Sequence, residues 1–370
     1  MANKTYIEQL TWLRGIAAFF VIISHTIRAT EVQYSSTDQA SHLFIVSLFD
    51  LGSFGVVLFF ALSGCTLYIS NVDKLAQKGI THFYIKRFFR IWPAFVISLI
   101  FYILFGLIFS YYYPNAQGHW VENQFLQAYS IYDILSYLSF TFNITGSQGL
   151  FNNAYWSLPV EFQYYLIFPL IIYSIKRIGI IGPIIIGAIL FLIPRLNIIH
   201  FAHNLFFTLA FSFCGGVLIG YIYKHHHLKI APSSGLFMLI LLTIYVSCIS
   251  NSYIQLPDIP LLSNIWVSYG VSAILAVLIV LYTKVDVHSR FEQFLKHYGT
   301  ISYSTYLYHN IFVACSVLLI IHFSITEPLL RVIVTLSVTL IATYISASLS
   351  YQYIEKPFIN IGRKLLQAPK

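Results

Sequence analysis

The chain has 370 residues, of which 58% are hydrophobic and only 9% charged, and its formal net charge is +8. Soluble globular domains have about a quarter of their residues charged, so this composition excludes a water-soluble enzyme or binding module. Uncharged apolar segments of membrane-spanning length recur along the chain, which predicts a polytopic α-helical membrane protein.

Ten apolar segments predict an all-α membrane helical bundle of about ten transmembrane helices in one domain. The fifth segment is short and contains two prolines. The predicted spans are 9–29, 44–69, 91–113, 154–175, 178–194, 201–223, 233–254, 263–283, 299–323 and 328–353. Between the third and fourth spans, apolar residues at helical spacing over 131–142 predict a helix that lies along the membrane interface.

Basic residues are unevenly divided between the two sides of these spans. Most of the 21 Lys and Arg residues fall on the side that holds both chain termini. Cytoplasmic loops of membrane proteins are enriched in Lys and Arg, so both termini are expected to be cytoplasmic. The excess positive charge therefore follows from topology, and no nucleic-acid partner is expected.

Span one contains two ionisable residues, Arg14 and His25, in an otherwise apolar segment. Inserting such a group costs about 2.5–3.5 kcal/mol, so it usually faces the bundle interior. In a helix the two side chains share one face about 16 Å apart, with Arg14 towards the cytoplasm and His25 near the outer end. The alternatives are an Arg14 that snorkels or pairs with Glu8, and a His25 that is hydrogen-bonded in the core.

Span four contains a carboxylate, Glu161, within "YWSLPVEFQYYLIFPL". Its predicted depth, roughly 10 Å below the outer surface, is similar to that of His25. A carboxylate near an imidazole can orient the ring and support its action as a general base. We therefore predict that His25 and Glu161 are catalytic; a Glu161 neutralised by burial is the alternative.

The segment "YIKRFFRIWP" places Arg87 and Arg90 one helical turn apart at the cytoplasmic end of span three. Together with Arg14 they would form a phosphate-binding site, because guanidinium groups match phosphate oxygens. Ordinary positive-inside charge is the alternative.

Four further residues are candidate substrate contacts. His309 and Tyr306 lie in "SYSTYLYHN" of span nine, Trp156 is one of many aromatic residues expected at the outer surface, and Ser63 precedes Gly64 in span two. The competing interpretations are a buried polar network for His309, an interfacial aromatic belt for Trp156, and close helix packing for the Ser63–Gly64 pair.

No metal site is predicted. Histidines 225–227 fall in a cytoplasmic loop without a partner ligand in any span, and the four cysteines lie in apolar runs without metal-type spacing.

Six motifs in chain order resemble those of the membrane-bound acyltransferase family 3, which includes bacterial O-acetyltransferases of surface polysaccharides. They are "WLRGIAAFFVIISH", "GVVLFFALSGCTL", "KRFFRIWP", "WSLPVEFQYYLIFPL", "SYSTYLYHN" and "SYQYIEKP".

The resemblance implies transfer of an acetyl group from acetyl-CoA to a hydroxyl of an extracytoplasmic glycan, at the bacterial cytoplasmic (inner) membrane. The implied partners are acetyl-CoA, membrane lipids and a glycan or lipid-linked glycan such as O-antigen, capsule or exopolysaccharide. The family's essential Arg and His fall on Arg14 and His25, its basic motif on Arg87 and Arg90, its glutamate on Glu161 and its late histidine on His309.

Two positions depart from the family pattern. Thr11 and Val57 stand where many members have an acidic residue, which leaves Glu161 as the expected acidic partner of His25. Some members carry a fused esterase-like domain; because the chain ends 17 residues after its last predicted span, no such domain is expected here.

Two mechanisms and two other functions stay open at this point. His25 could deprotonate the sugar hydroxyl directly or form an acetyl-histidine intermediate. A proton-coupled transporter using His25, Glu161 and His309 is the alternative function. A polysaccharide polymerase is less well supported, because its outer loop, 114–153, has no Lys or Arg to bind an acidic glycan.

Overall fold

The computed structural model describes residues 7–30, 48–112, 119–125, 127–196, 205–226, 229–252, 254–256, 264–283 and 290–367. These ranges contain no strand, and eight of their helices are long and apolar enough to cross a membrane. The predicted all-α polytopic membrane fold is therefore confirmed. The cytoplasmic placement of the termini stays a prediction, and so does the single domain without an esterase-like extension.

The helices are numbered in chain order. They are α1 (Glu8–Ala29), α2 (Gly52–Tyr112), α3 (His119–Phe125), α4 (Ile131–Leu138), α5 (Phe142–Thr145), α6 (Ser157–Ile178), α7 (Ile181–Leu192), α8 (Leu205–His225), α9 (Pro232–Ser250), α10 (Ile265–Tyr282), α11 (Arg290–Thr300), α12 (Ser302–His322), α13 (Pro328–Ser350) and α14 (Lys356–Leu365). A 3₁₀ turn, Asn153–Trp156, leads into α6, another, Ile193–Leu196, follows α7, and a π-helical turn, Tyr351–Glu355, joins α13 to α14.

Predicted spans two and three belong to one stretch of helix, α2, which is 61 residues long. A straight helix of that length would extend about 90 Å, roughly three times the hydrocarbon thickness of a bilayer. Gly79 interrupts it with φ 80° and ψ 174°, a conformation that glycine adopts without steric cost. The glycine thus divides α2 into helical segments 52–78 and 80–112, and the connection between the two predicted spans is helical on both sides of it.

Predicted span five is shorter in the structure than in the sequence prediction. Helix α7 has 12 residues and a membrane-spanning helix needs about 20. Gly179, with φ 64°, separates it from α6, and Pro194 lies in the 3₁₀ turn that follows it. The apolar run therefore continues beyond the helix at both ends.

The chain forms two compact units. Unit one comprises Met1–Phe19, Ser53–Tyr84 and Glu161–Thr300, and unit two comprises Phe20–Gly52, Ile85–Val160 and Ile301–Lys370. Each unit has its own core of buried apolar side chains. Helices α1, α2 and α6 contribute residues to both units, because the boundaries fall within them.

In unit one, α2 and α8 pack with their backbones in direct contact. A Cβ atom on Gly64 would collide with the backbone carbonyl of Phe213, and one on Gly216 would collide with that of Ala61. Such reciprocal small-residue contacts let membrane helices approach closely. The packing interpretation is therefore confirmed for Gly64, and a substrate contact for Ser63 stays a prediction.

In unit two, helix α4 begins with a complete capping box. The Ser130 side chain accepts from the Asp133 amide at 3.3 Å, and the Asp133 carboxylate accepts from the Ser130 amide at 2.7 Å and from the Ser147 hydroxyl at 2.6 Å. The interfacial helix expected over 131–142 ends earlier, at Leu138, because Phe140 adopts φ 54° before α5 begins.

These contacts predict a pH dependence of α4. The hydrogen bond from the Ser147 hydroxyl is the largest cause that lowers the pKa of Asp133, and the bonds from Ser130 come next. The stability that the Asp133 carboxylate gives to α4 is therefore fully present above the ordinary pKa of about 4, and it is lost as the pH falls through the lowered pKa. Removing a cap costs about 1 kcal/mol. We expect Asp133→Ala to speed amide hydrogen exchange over 131–138 about fivefold, and Glu122→Ala, which removes an exposed acid on α3, to leave it unchanged. Equal exchange in both variants would contradict the assignment.

Candidate active site

His25 lies in unit two against the two consecutive polar residues of α12. Its Nδ1 atom is 2.7 Å from Asn310 Oδ1 and 3.3 Å from His309 Nε2. The two imidazole rings have centroids 5.0 Å apart and are tilted by 52°. His309 and Asn310 are fully buried, whereas His25 is half-buried and is the more accessible ring. The structure thus brings together two histidines that were predicted separately.

Tyr306 fastens this part of α12 to the 3₁₀ turn before α6. Its hydroxyl donates to the carbonyl of Ala154 at 2.5 Å and lies 2.6 Å from the Ser157 hydroxyl, while its own carbonyl is 2.9 Å from His309 Nδ1. Tyr306 is 6% exposed, and its hydroxyl contacts protein groups. A substrate contact for Tyr306 stays a prediction.

Two asparagines before α6 complete the hydrogen-bond network. Asn310 Nδ2 donates to Asn152 Oδ1 at 2.7 Å and to Asn153 Oδ1 at 3.0 Å. Asn152 is fully buried and is bonded to the backbone at both ends of its amide, since its Nδ2 donates to the Leu307 carbonyl at 3.3 Å and its Oδ1 accepts from the Ala154 amide at 2.9 Å. These three asparagines were not predicted from the sequence, although Asn310 ends the motif "SYSTYLYHN".

The residue that precedes Asn152, Phe151, has a strained backbone conformation. Phe151 has φ 60°, which is unusual for a side chain other than glycine and costs of the order of 1 kcal/mol or more. Its ring packs against Tyr129 and Tyr137, at centroid distances of 4.8 and 5.0 Å. Aromatic packing therefore holds the backbone in the conformation that directs Asn152 and Asn153 towards α12.

A second polar group meets α1 beside His25. Ser24 donates to the carboxylate of Asp50, which also pairs with Arg28 at 3.4 Å. Gly52 permits this approach, since a Cβ atom there would collide with the Ser24 side chain. Asp50 was not among the predicted site residues. It lies two residues before α2, outside the motif in which an acidic residue was sought.

In unit one, Glu161 contacts two hydroxyl groups. Ser63 Oγ donates to Glu161 Oε1 at 3.3 Å, Tyr165 donates to the same oxygen, and the two hydroxyls are 3.3 Å apart. Arg14 donates to Thr66 Oγ1 at 3.0 Å, one helical turn beyond Ser63. The predicted residues Ser63 and Glu161 are thus in contact.

The remaining hypotheses about these residues stay predictions. Glu161 belongs to unit one and His25 to unit two, and the partner that the structure gives to His25 Nδ1 is Asn310, which had not been considered. Arg87 and Arg90 are half-buried in unit two and Arg14 is half-buried in unit one, so a shared phosphate site also stays a prediction.

Trp156 is half-buried at the end of the 3₁₀ turn. Its contact with substrate stays a prediction. Within the described part of the chain, no three His, Cys, Asp or Glu side chains are grouped so as to hold a metal ion. His227 of the histidine tract lies outside the described residues.

Unit two contains a small, partly open cleft. Its volume is about 70 Å³. Aromatic rings and a few polar groups line it, among them Tyr102, Phe125, Tyr129, Phe151, Ser110 and Gln127. Because Phe151 immediately precedes Asn152, the wall of the cleft and the asparagine network share one short segment of backbone.

The network leaves one ring nitrogen of His25 available for chemistry. Nδ1 carries the ring's hydrogen bonds, and no hydrogen bond involves Nε2 among the described residues. A half-buried imidazole with one nitrogen engaged and the other available is suited to accept a proton from a bound hydroxyl or to attack an acyl group.

Known proteins similar to this chain are acyltransferases. An acyltransferase named MdmB from Streptomyces mycarofaciens is 32% identical over 174 residues, which cover 47% of this chain and 41% of MdmB. An O-acetyl transferase of Shigella phage Sf6 is 28% identical over 160 residues, 42% of either chain. Peptidoglycan O-acetyltransferase OatA from Listeria monocytogenes is 25% identical over 97% of this chain and 57% of OatA. The chain thus spans about half the length of these relatives, and no solved structure matches it.

The model of the family described as "Acyltransferase domain" matches residues 7–348, nearly the whole chain. The match extends over both units and every helix from α1 to α12, and it includes most of α13. The family's activity favours an enzyme over the proton-coupled transporter considered above. The chain belongs to the membrane-bound acyltransferase family 3, and its described helices are those of a multi-pass membrane protein.

Proposed function

We propose that this protein transfers an acetyl group from acetyl-CoA to a hydroxyl of an extracytoplasmic glycan, in a bacterial cytoplasmic membrane. The observation that carries the proposal is the setting of His25. Buried groups of unit two hold its Nδ1 atom, and Nε2 is the nitrogen left for substrate. Acyl transfer to a hydroxyl needs such a base, because the hydroxyl must lose its proton as it attacks.

The donor proposal rests on three arginines. A nucleotide with several phosphate groups requires cations, and guanidinium groups bind phosphate oxygens through paired hydrogen bonds. Arg87 and Arg90 lie one turn apart on α2, and Arg14 is oriented by Thr66. All three are expected on the cytoplasmic side from the distribution of basic residues, where acetyl-CoA is available.

The reaction is balanced without a metal. In the direct route, the hydroxyl oxygen forms a bond to the thioester carbon and the C–S bond breaks, while His25 Nε2 takes the hydroxyl proton and passes it to the departing thiolate. The imidazolium that forms is stabilised by Asn310 Oδ1. We propose Glu161 as the second catalytic group, as its motif implies.

A relay through His25 uses the same nitrogen. Nε2 would first attack the thioester carbon, so that the C–S bond breaks and CoA leaves as the thiolate. The sugar hydroxyl then attacks the acetyl carbon of the acetyl-imidazole, the C–N bond breaks, and the hydroxyl proton passes to the freed Nε2 and from there to the thiolate. Incubation with radiolabelled acetyl-CoA without acceptor distinguishes the two routes. Label retained on the denatured wild-type protein but absent from His25→Ala supports the relay, and an unlabelled protein that still acetylates added acceptor supports the direct route.

The glycan acceptor is supported by two observations. One relative is named for O-acetylation of peptidoglycan. The cleft of unit two also presents aromatic faces, which pack well against the apolar faces of sugar rings, beside hydroxyl and amide groups that could bind sugar hydroxyls. We further propose Trp156, Tyr306 and His309 of unit two, and separately Ser63 of unit one, as substrate contacts.

Mass spectrometry of cell-surface glycans tests this function. Cells that express the wild-type protein should carry O-acetyl esters that are absent when the gene is deleted, and His25→Ala should fail to restore them. His322→Ala, which removes an exposed histidine of α12, should restore them fully. Identical ester content with and without the gene would contradict a glycan acceptor.

A further inference from the structure

We propose that Asn310, held in place by Asn152, is a positioning residue that fixes the tautomer of His25 and thereby makes Nε2 the proton-accepting nitrogen. This inference rests on the proposed function, because it concerns how the base of that reaction is prepared. It gives Asn310 a role that precedes proton transfer, in addition to stabilising the imidazolium, and it gives Asn152 a role that the proposed reaction does not otherwise include.

The first step concerns Asn152, whose amide orientation is determined by the backbone. A backbone amide only donates, so the atom of Asn152 that faces the Ala154 amide at 2.9 Å must be its oxygen. A backbone carbonyl only accepts, so the atom that faces the Leu307 carbonyl must be its nitrogen. Both contacts give the same orientation, and neither depends on an assumed proton position.

The second step transfers this orientation to Asn310. Because Asn152 presents an oxygen at 2.7 Å, Asn310 must present its NH₂ group to it, and Asn153 Oδ1 accepts from the same group at 3.0 Å. A reversed Asn310 would place its oxygen against these two oxygens in a fully buried site, where an unsatisfied polar group costs about 1–3 kcal/mol. The oxygen of Asn310 therefore faces His25.

The third step fixes the proton on His25. Asn310 Oδ1 lies 2.7 Å from His25 Nδ1 and can only accept, so Nδ1 carries the hydrogen. In the neutral ring the lone pair is then on Nε2. Two backbone groups, the Ala154 amide and the Leu307 carbonyl, thus determine through two asparagines which nitrogen of His25 is the base.

His309 gives the same result from a separate backbone group. Its Nδ1 is 2.9 Å from the Tyr306 carbonyl and must donate to it, which leaves the lone pair of neutral His309 on Nε2. That lone pair faces His25 Nδ1 at 3.3 Å and also requires a hydrogen there. Two independent chains of hydrogen bonds therefore select one tautomer of His25.

Paired substitutions of Asn310 separate positioning from packing. Asn310→Asp keeps an oxygen towards His25 Nδ1, and as the neutral acid its O–H group replaces the amide NH₂ as donor to Asn152 Oδ1, whereas Asn310→Leu fills a similar volume and offers neither acceptor nor donor. A packing role predicts that Leu is at least as active as Asp in this buried site. The tautomer role predicts the opposite order.

The experiment uses the purified full chain in detergent, with acetyl-CoA, a glycan acceptor and initial rates per folded molecule. We expect Asn310→Leu to lower kcat about 100-fold or more, Asn310→Asp to stay within about tenfold of wild type, and the KM for acetyl-CoA to change less than threefold, since the loss should lie within the range of general base catalysis. Asn152→Asp and Asn152→Leu should show the same order, because Asp keeps the oxygen that orients Asn310.

The matched control is Asn71→Leu, which removes a buried amide of unit one that donates to the Leu67 carbonyl of its own helix at 3.1 Å. It should leave kcat within threefold of wild type. Asn310→Leu as active as Asn310→Asp would overturn the positioning role while leaving the proposed function intact, provided that His25→Ala is inactive. A wild-type protein that transfers no acetyl group from acetyl-CoA would overturn the proposed function, and the positioning role with it.

Discussion

Replacing His25 with alanine is expected to lower the rate of acyl transfer by about 10²–10⁴-fold, the range that a positioned general base contributes. His25 is half-buried, and its Nδ1 is held by Asn310 and His309, so nearby water cannot supply a base with the same orientation. The measurement is the initial rate of CoA release by purified protein in the presence of a glycan acceptor.

The proposed donor site should be unaffected by this change. Arg14 lies about 16 Å away along α1 and donates to Thr66 in unit one, so the KM for acetyl-CoA should change less than threefold. His322→Ala is the matched control and should retain the full rate. A His25→Ala protein that transfers acetyl groups within threefold of wild type would eliminate both the direct route and the relay.

Replacing Gly64 with leucine is expected to prevent unit one from folding normally. The first atom of the new side chain would collide with the Phe213 carbonyl, and the next nearest contact is the backbone nitrogen of Val217. Side chains can rotate away from an overpacked site, but a helix backbone must move as a whole. The cost should therefore reach or exceed about 3 kcal/mol, the upper end of ordinary overpacking.

The yield of monodisperse protein after detergent extraction and its melting temperature measure this effect. Gly64→Ala should show a smaller defect of the same kind, because alanine already introduces the colliding atom. Ala76→Leu, at an exposed position on the same helix, should behave as wild type. A Gly64→Leu protein with unchanged yield and melting temperature would show that α2 and α8 are not in the close contact described here.

Hydropathy predicted most membrane helices well, because the bilayer requires long uncharged segments. The predictions 9–29, 263–283 and 299–323 compare with helices Glu8–Ala29, Ile265–Tyr282 and Ser302–His322. It failed where apolar character and helix length diverge. At α7 the apolar run is longer than the helix. The prediction missed this because hydropathy does not register the backbone conformation of glycine or the missing amide hydrogen of proline, and both residues lie just beyond the ends of α7.

The site was predicted only in part, for a different physical reason. His25 and His309 are conspicuous because an imidazole is rare in an apolar segment, but depth in the membrane does not give the rotation of a helix. The carboxamides of Asn152 and Asn310 carry no charge and leave no periodic signal, and they are 158 positions apart in the sequence. Their role depends on a contact that only the fold provides.

The partner of Glu161 illustrates the same limit. Its carboxylate was identified from its place in span four, whereas the hydroxyls that contact it, from Ser63 and Tyr165, follow from the packing of two helices in unit one. Ser63 had been predicted as a substrate contact beside a packing glycine, and its bond to Glu161 was not anticipated. The sequence therefore identified Glu161 by its residue type, whereas its hydrogen-bond partners became known only from the fold.

The most direct test of the account is vectorial transfer across a sealed membrane. Inside-out vesicles from bacteria that express the protein present the cytoplasmic face to the medium, so radiolabelled acetyl-CoA is added outside and the glycan acceptor is trapped within. The account predicts labelled O-acetyl ester on the trapped glycan with the wild-type protein and none with His25→Ala. Label that appears only on glycan added outside, or equally with both proteins, would contradict it.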